Sequence, residues 1–211
     1  MIIGITGGIG AGKSRILQIL KDEYGAFIIE ADQVAKDLEK PGQEGLNGLT
    51  EMFGDEILCP DGTLDKERFS KMIFGDPAVL AKVNALIHPL VWDRIRQMSR
   101  QSRADLIVVE AALFDKKSRE VCDFLVCVDT DPEIRIQRLM ENRGYSRAKC
   151  LDIMEKQQNR ESFVRLSDYV IHNNGTFDET RCEIAQMMVI LSGRVHTGEN
   201  ENRQNREQAG R

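Results

Sequence analysis

Five short apolar runs, at residues 1–6, 26–30, 106–110, 124–128 and 169–172, are rich in Val and Ile and are separated by polar segments. Each is shorter than a typical helix and lacks polar alternation, so each predicts a strand buried on both faces. Between most of them the apolar period lengthens to that of a helix. Residues 14–24 put Ile16, Leu17, Leu20 and Tyr24 on one stripe and stop at Gly25, a residue suited to a left-handed end. Residues 132–143 follow Asp131 as a candidate cap, carry Pro in the first turn and close at Gly144. Alternating strands and helices predict a parallel sheet covered on both faces. The expected fold is α/β, a three-layer α/β/α core of five parallel strands.

One connection breaks this rhythm. About 75 residues separate the second run from the third, where connections are ordinarily a few residues long. The stretch reads as helical, with one helix behind Asp65 as its cap. Another starts from Pro77 with Leu80, Val83, Leu86 and Ile87 as its stripe, and His88-Pro89 should break or kink it. Such an insertion suggests a separate substrate lobe. A second excursion precedes the last strand. It carries Arg138, Arg143, Arg147 and Arg160 and a thin stripe of Ala148, Leu151 and Met154, which suits a mobile flap. The end of the chain is polar and predicts disorder. The expected organisation is a core of residues 1–31, 104–137 and 166–195, an insertion of 32–103, a lid of 138–165 and a tail of 196–211.

Composition narrows the function classes. At 41% hydrophobic and 30% charged over 211 residues, the chain is that of an ordinary globular protein. Its net charge of −5 disfavours a duplex nucleic-acid binder. The five cysteines show no Cys-x-x-Cys spacing and the three histidines form no ligand array, which predicts reduced thiols. The apolar start lacks a basic leader, and no run approaches the roughly 20 residues of a membrane span. A cytoplasmic protein with no membrane partner, monomeric or a weak homo-oligomer, is expected.

Residues 7–14, Gly-Gly-Ile-Gly-Ala-Gly-Lys-Ser, fit G-x-x-x-x-G-K-[ST], follow a predicted strand and open a predicted helix. Glycines let successive N–H groups turn inward around a phosphate, and the helix N-terminus adds partial positive charge. Gly8, Gly10, Ala11, Gly12, Lys13, Ser14 and Arg15 are therefore candidate nucleotide-binding residues. Lys13 reaches the β and γ phosphates, and Ser14 is the candidate magnesium ligand. Asp32 stands beyond the second strand, where parallel sheets bind ligands. It is either a proton acceptor for an attacking hydroxyl or a cap for helix 34–39. Glu110 ends the third strand, as a water-mediated magnesium ligand or an ordinary strand-end charge. The arginines either face a transferring phosphoryl group or form a solvated helix face. His88 is a candidate substrate contact or a structural residue. Asn173-Asn174-Gly175 reads as a turn first and as a loop edging a nucleobase second.

These pieces, in this order, resemble the dephospho-CoA kinase family. The resemblance runs from the first strand to about residue 191. It rests on ITGGIGAGKS, EAD at the end of the second strand, Phe53-Gly54, DGTLDKERF, Ile73-Phe74, IHP ending at Pro89, EAALFD, LVCVD, QRLMENRGYSR and SDYVIHNNG. It implies a phosphate-loop kinase core with a helical acceptor-binding insertion and a helical lid. It also implies ATP-dependent phosphorylation of the ribose 3′-hydroxyl of dephospho-CoA, with ATP and Mg2+ required. Asp32 becomes the catalytic base and a substrate contact beside His88. Lys13 and Ser14 form the phosphate and magnesium grip, Arg138 and Arg143 the catalytic lid residues, and Asn174 a nucleotide contact. Departures from the family pattern are Ala11 for serine, Arg15 for threonine, Glu110 for aspartate, Ala112 for proline and Arg135 for glutamine. Rival readings are another small-molecule kinase of the same fold and a GTP-dependent switch. The chain contains no Asn-Lys-x-Asp segment for reading guanine.

Overall fold

The computed structural model describes residues 1–112, 114, 116–157 and 160–209, with the backbone alone for Phe74, Lys116, Lys117 and residues 194–209. Leu113 and Asp115 of EAALFD, Gln158 and Asn159 of the expected lid, and residues 210–211 of the expected tail lie outside the described residues. Strands β1 (Ile2–Thr6), β2 (Phe27–Glu30), β3 (Ile107–Glu110), β4 (Phe124–Asp129) and β5 (Tyr169–His172) form one five-stranded sheet, in the order β2-β3-β1-β4-β5. β1 and β2 each pair with β3 in parallel, and β4 pairs with β5 in parallel. All six residues of β4 are buried, which accounts for its unbroken apolar run. In β1 the small residue is required. A Cβ at Gly4 would lie 2.7 to 3.1 Å from the side chains of Leu125, Phe114 and Cys122.

The helices are α1 (Lys13–Tyr24), α2 (Ala31–Leu38), α3 (Glu44–Phe53), α4 (Lys66–Gly75), α5 (Pro77–Gln101), α6 (Lys116–Val121), α7 (Pro132–Arg143), α8 (Arg147–Glu155), α9 (Arg160–Leu166) and α10 (Phe177–Ala209). No helix among the described residues is long and apolar enough to cross a membrane. The chain divides into two compact units, one of Met1–Thr6 with Leu20–Leu125, the other of Gly7–Ile19 with Val126–Arg211. The expected insertion falls in the first and the expected lid in the second.

In the first unit, α2, α3, α4 and α6 pack along α5. Its buried stripe of Val83, Ile87, Val91, Trp92 and Ile95 joins Leu38, Leu49, Ile57 and Phe69 in one core. Of the break or kink expected at Pro89, the break does not occur, because α5 continues to Gln101. A helix-interior proline costs about 3 kcal/mol. Each large apolar side chain buried beyond it returns about 1.5–3 kcal/mol, and Val91, Trp92 and Ile95 lie in that second half. The helix therefore survives. Leu80, expected on the stripe, is exposed instead. Asp65 does cap α4, accepting from the Arg68 N–H at 3.0 Å, and Asp76 caps α5 through the Ala78 N–H at 2.8 Å.

In the second unit, α8 packs on α7 through Cys150 and Met154, which join Ile136, Leu139, Ile9 and Tyr145. The expected stripe of Ala148, Leu151 and Met154 is thus displaced: Ala148 and Leu151 are exposed. Cys150 and Met154 stand four residues apart on one helix face, and a thiol buries as a small hydrophobe. Asp131 occupies the N-cap position of α7 without a side-chain cap bond. Gly144 ends α7 in the left-handed conformation at φ +62°. The helical backbone of α10 continues through Ala209, across the segment expected to be disordered. That segment holds no Pro and is rich in Glu, Gln and Arg, all good helix formers.

Candidate active site

The phosphate loop hangs between the end of β1 and the start of α1. Gly10 and Gly12 hold φ of +77° and +91°, where a side chain is strained. The Ala11 N–H closes the turn on the Gly8 carbonyl at 3.1 Å. Beneath it, the Ala11 carbonyl accepts from Asn173 Nδ2 at 2.7 Å and from Thr130 Oγ1 at 3.0 Å. Asn173 is itself held, since its Oδ1 accepts from Thr180 Oγ1 at 2.8 Å. A Cβ at Gly12 would collide with Asn173 Nδ2. The loop thus rests on a buried polar floor reached from the ends of β4 and β5.

Lys13 Nζ donates to the Gly7 carbonyl at 2.8 Å. Beside the loop is a cavity of about 270 Å³ lined by Gly12, Arg15, Arg138, Asn142, Asn173 and Phe177 among others; no carboxylate is among the described residues of its lining, although Glu179 accepts from the lining Thr176 N–H at 2.6 Å. Arg138 Nη2 donates to the Asn173 carbonyl at 3.0 Å, while its Nη1 is buried without a hydrogen-bond partner. That nitrogen lies 3.4 Å from where a Gly12 Cβ would stand. Burial, and then the nearby Arg15, lower the pKa of Arg138 from its usual value. The Arg15 guanidinium is stacked 4.2 Å from the centre of the Phe177 ring. Two cations, one of them with an unsatisfied donor, facing a cavity whose described lining holds no carboxylate are groups suited to an anion.

The predicted residues divide between the units. Gly8, Gly10, Ala11, Gly12, Lys13, Ser14 and Arg15 belong to the loop and the first turns of α1, with the Ser14 side chain exposed. Asn174 does not line the cavity; its Oδ1 accepts from the Asp131 N–H at 2.8 Å, and its neighbour Asn173 faces the loop. Of the four arginines only Arg138 lines the cavity. Arg147 pairs with Glu133 at 2.7 Å, Arg160 pairs with Asp129, and Arg143 is exposed at the end of α7. In the first unit, Asp32 lies in the first turn of α2 and Glu30 takes the N-cap position, so the capping alternative for Asp32 is corrected. Asp32 is exposed. His88 is exposed on α5, and Glu110 is half-buried at the end of β3, in register with Glu30.

No group of three or more His, Cys, Asp or Glu among the described residues forms a metal cluster. A magnesium ion needs fewer, since it keeps waters and takes phosphate oxygens with one or two protein ligands. An exposed Ser14 hydroxyl at a helix N-terminus fits that requirement. Sequence reasoning missed Thr130, Gln157 and Phe177, whose partners Ala11, Ile9 and Arg15 are distant in sequence. Only the NNG turn signal pointed near Asn173.

A family model described as dephospho-CoA kinase matches residues 1–179. A dephospho-CoA kinase of Streptomyces avermitilis is 35% identical over 92% of this chain and 95% of its own length. One from Carboxydothermus hydrogenoformans is 36% identical over 90% and 92% respectively. Among solved structures, a Thermus thermophilus protein superposes with a TM-score of 0.75 at 26% identity, covering 90% of this chain and 97% of that one. The five-stranded parallel sheet with flanking helices is the phosphate-loop kinase core of these neighbours. With its glycine loop, its cation-lined cavity and a match over most of its length, the chain belongs to the dephospho-CoA kinase family.

Proposed function

We propose that the protein transfers the γ-phosphoryl group of ATP to the ribose 3′-hydroxyl of dephospho-CoA, giving CoA and ADP. The observation that carries the reading is the cation-lined cavity with its unpartnered Arg138 nitrogen beside the phosphate loop. Phosphoryl transfer is mostly positioning and charge stabilisation. The loop N–H groups and the α1 N-terminus grip the phosphates. Lys13 exchanges the neutral Gly7 carbonyl for charged phosphate oxygens, a stronger partner. Arg138 satisfies its free Nη1 on the nucleotide, and Arg15 adds charge at the α phosphate. Ser14 would hold a magnesium ion, which would supply positive charge to the phosphate oxygens. Asp32 orients the 3′-hydroxyl and takes its proton. Residues 32–103, with His88, receive the acceptor. Residues 138–165 close over the site with Arg143 and exclude water, and Asn174 edges the adenine. The five free thiols support a reducing, cytoplasmic setting.

The test is turnover of ATP with dephospho-CoA, set beside nucleoside monophosphates, with the product identified by mass. Asp32→Asn should bind a fluorescent ATP analogue within twofold of wild type while kcat falls about 10²- to 10⁴-fold. A kcat within threefold of wild type removes Asp32 from the base role. Faster turnover with a nucleoside monophosphate reassigns the acceptor.

A further inference from the structure

Ile9 is fixed on every side. Its N–H donates to Gln157 Oε1 at 2.9 Å, and its carbonyl accepts from Arg135 Nε at 2.8 Å. Arg135 Nη2 closes the ring by donating to the same Gln157 oxygen at 3.2 Å. The Ile9 side chain packs on Ile136, Leu139 and Cys150. The Arg135 guanidinium lies directly over Gly8, where a Cβ would collide with it. Arg135 is half-buried, and the acceptors it reaches are both neutral. Its two nitrogens therefore act as a brace between α7, the loop and the segment after α8.

A phosphate loop works only if its free N–H groups converge on one point, and glycine-rich backbone does not hold such a shape by itself. We infer that Arg135 and Gln157 are positioning residues for the phosphate loop. By tying both peptide groups of Ile9 outward, they keep the remaining loop N–H groups arranged for a nucleoside triphosphate. The inference rests on the phosphate-loop reading of residues 7–14. It explains why a glycine stands at position 8 although its φ is not in the left-handed region. It also ties nucleotide affinity to Gln157, which lies in the expected lid.

The experiment is titration of a fluorescent ATP analogue and steady-state kinetics on Arg135→Leu, Gln157→Leu and the double variant. Each single change should weaken nucleotide binding about tenfold, leave the KM for dephospho-CoA within twofold and leave the thermal midpoint nearly unchanged. The double variant should be no worse than either single one, because both act through one brace. Arg135→Lys should not rescue, since an ammonium cannot span both acceptors in a fixed fork. Gly8→Ala, which displaces the guanidinium, should match Arg135→Leu and not add to it. Multiplying losses, rescue by lysine, or wild-type affinity in the single variants would each overturn the inference. Failure of the wild type to bind the analogue would instead overturn the phosphate-loop reading itself.

Discussion

Arg15 is the loop's most unusual neighbour, and Phe177 gives it a place. An exposed cation–π stack contributes about 0.5–1 kcal/mol. Phe177→Leu should therefore weaken nucleotide affinity about two- to fivefold, the same energy expressed as a ratio. The same change made on an Arg15→Ala background should do nothing further. A fluorescent-analogue titration of the four proteins decides it, and an undiminished effect without Arg15 would show that Phe177 acts alone. At this scale the motif was legible and its support was not. Gly12, Lys13 and Ser14 announce their chemistry by spacing. Asn173 supports Ala11 from 162 positions away, and no local pattern records such a bond.

The strands were legible to within a residue, although the expected burial on both faces holds fully only for β4; the edge strands β2 and β5 keep their apolar runs with Phe27, Glu30 and His172 exposed. Helix ends were legible where a side chain makes the cap, and less so where the backbone does. Asp65 and Asp131 look alike in sequence, yet only Asp65 accepts a bond from its own helix. Asp65→Ala should cost about 1 kcal/mol in urea unfolding, the usual worth of an N-cap bond. Asp131→Ala should cost less than half of that, because its engaged group is the N–H that Asn174 receives. Equal losses would mean that cap position alone, without the bond, sets helix stability here. The break expected at Pro89 fails for a related reason. The rule against helix-interior proline is local, whereas the buried stripe that overrides it is tertiary.

At the scale of the whole molecule, the second unit carries an ion pair with a buried partner. Asp129 is 5% exposed and accepts from Arg160 Nε at 2.7 Å and Nη2 at 2.5 Å, with His172 Nδ1 3.5 Å away. The Arg160 guanidinium holds the Asp129 carboxyl below the usual carboxylate range. A carboxyl whose folded pKa is depressed stabilises the fold above its unfolded pKa of about 3.9, and this is lost as pH falls through the folded value. Arg160 itself is largely exposed, which discounts the pair toward the lower range of charged hydrogen bonds. Arg160→Ala should thus destabilise the protein by about 1.5 kcal/mol at pH 7. The gap from wild type should shrink as pH falls below about 4. Thermal unfolding of both proteins from pH 7 to pH 3 checks it, and a gap that stays constant would assign the loss to packing.

Asn173 widens what counts as the motif. Its carboxamide gives to a loop carbonyl and receives from a hydroxyl at once. Aspartate in its place would set a negative oxygen against the Ala11 carbonyl, and leucine would strand both partners. The tolerance of this chain to mutation is therefore narrow at a position that no phosphate-loop pattern includes. A search of the loop alone would score such a change as silent, though it removes the floor on which the glycines stand.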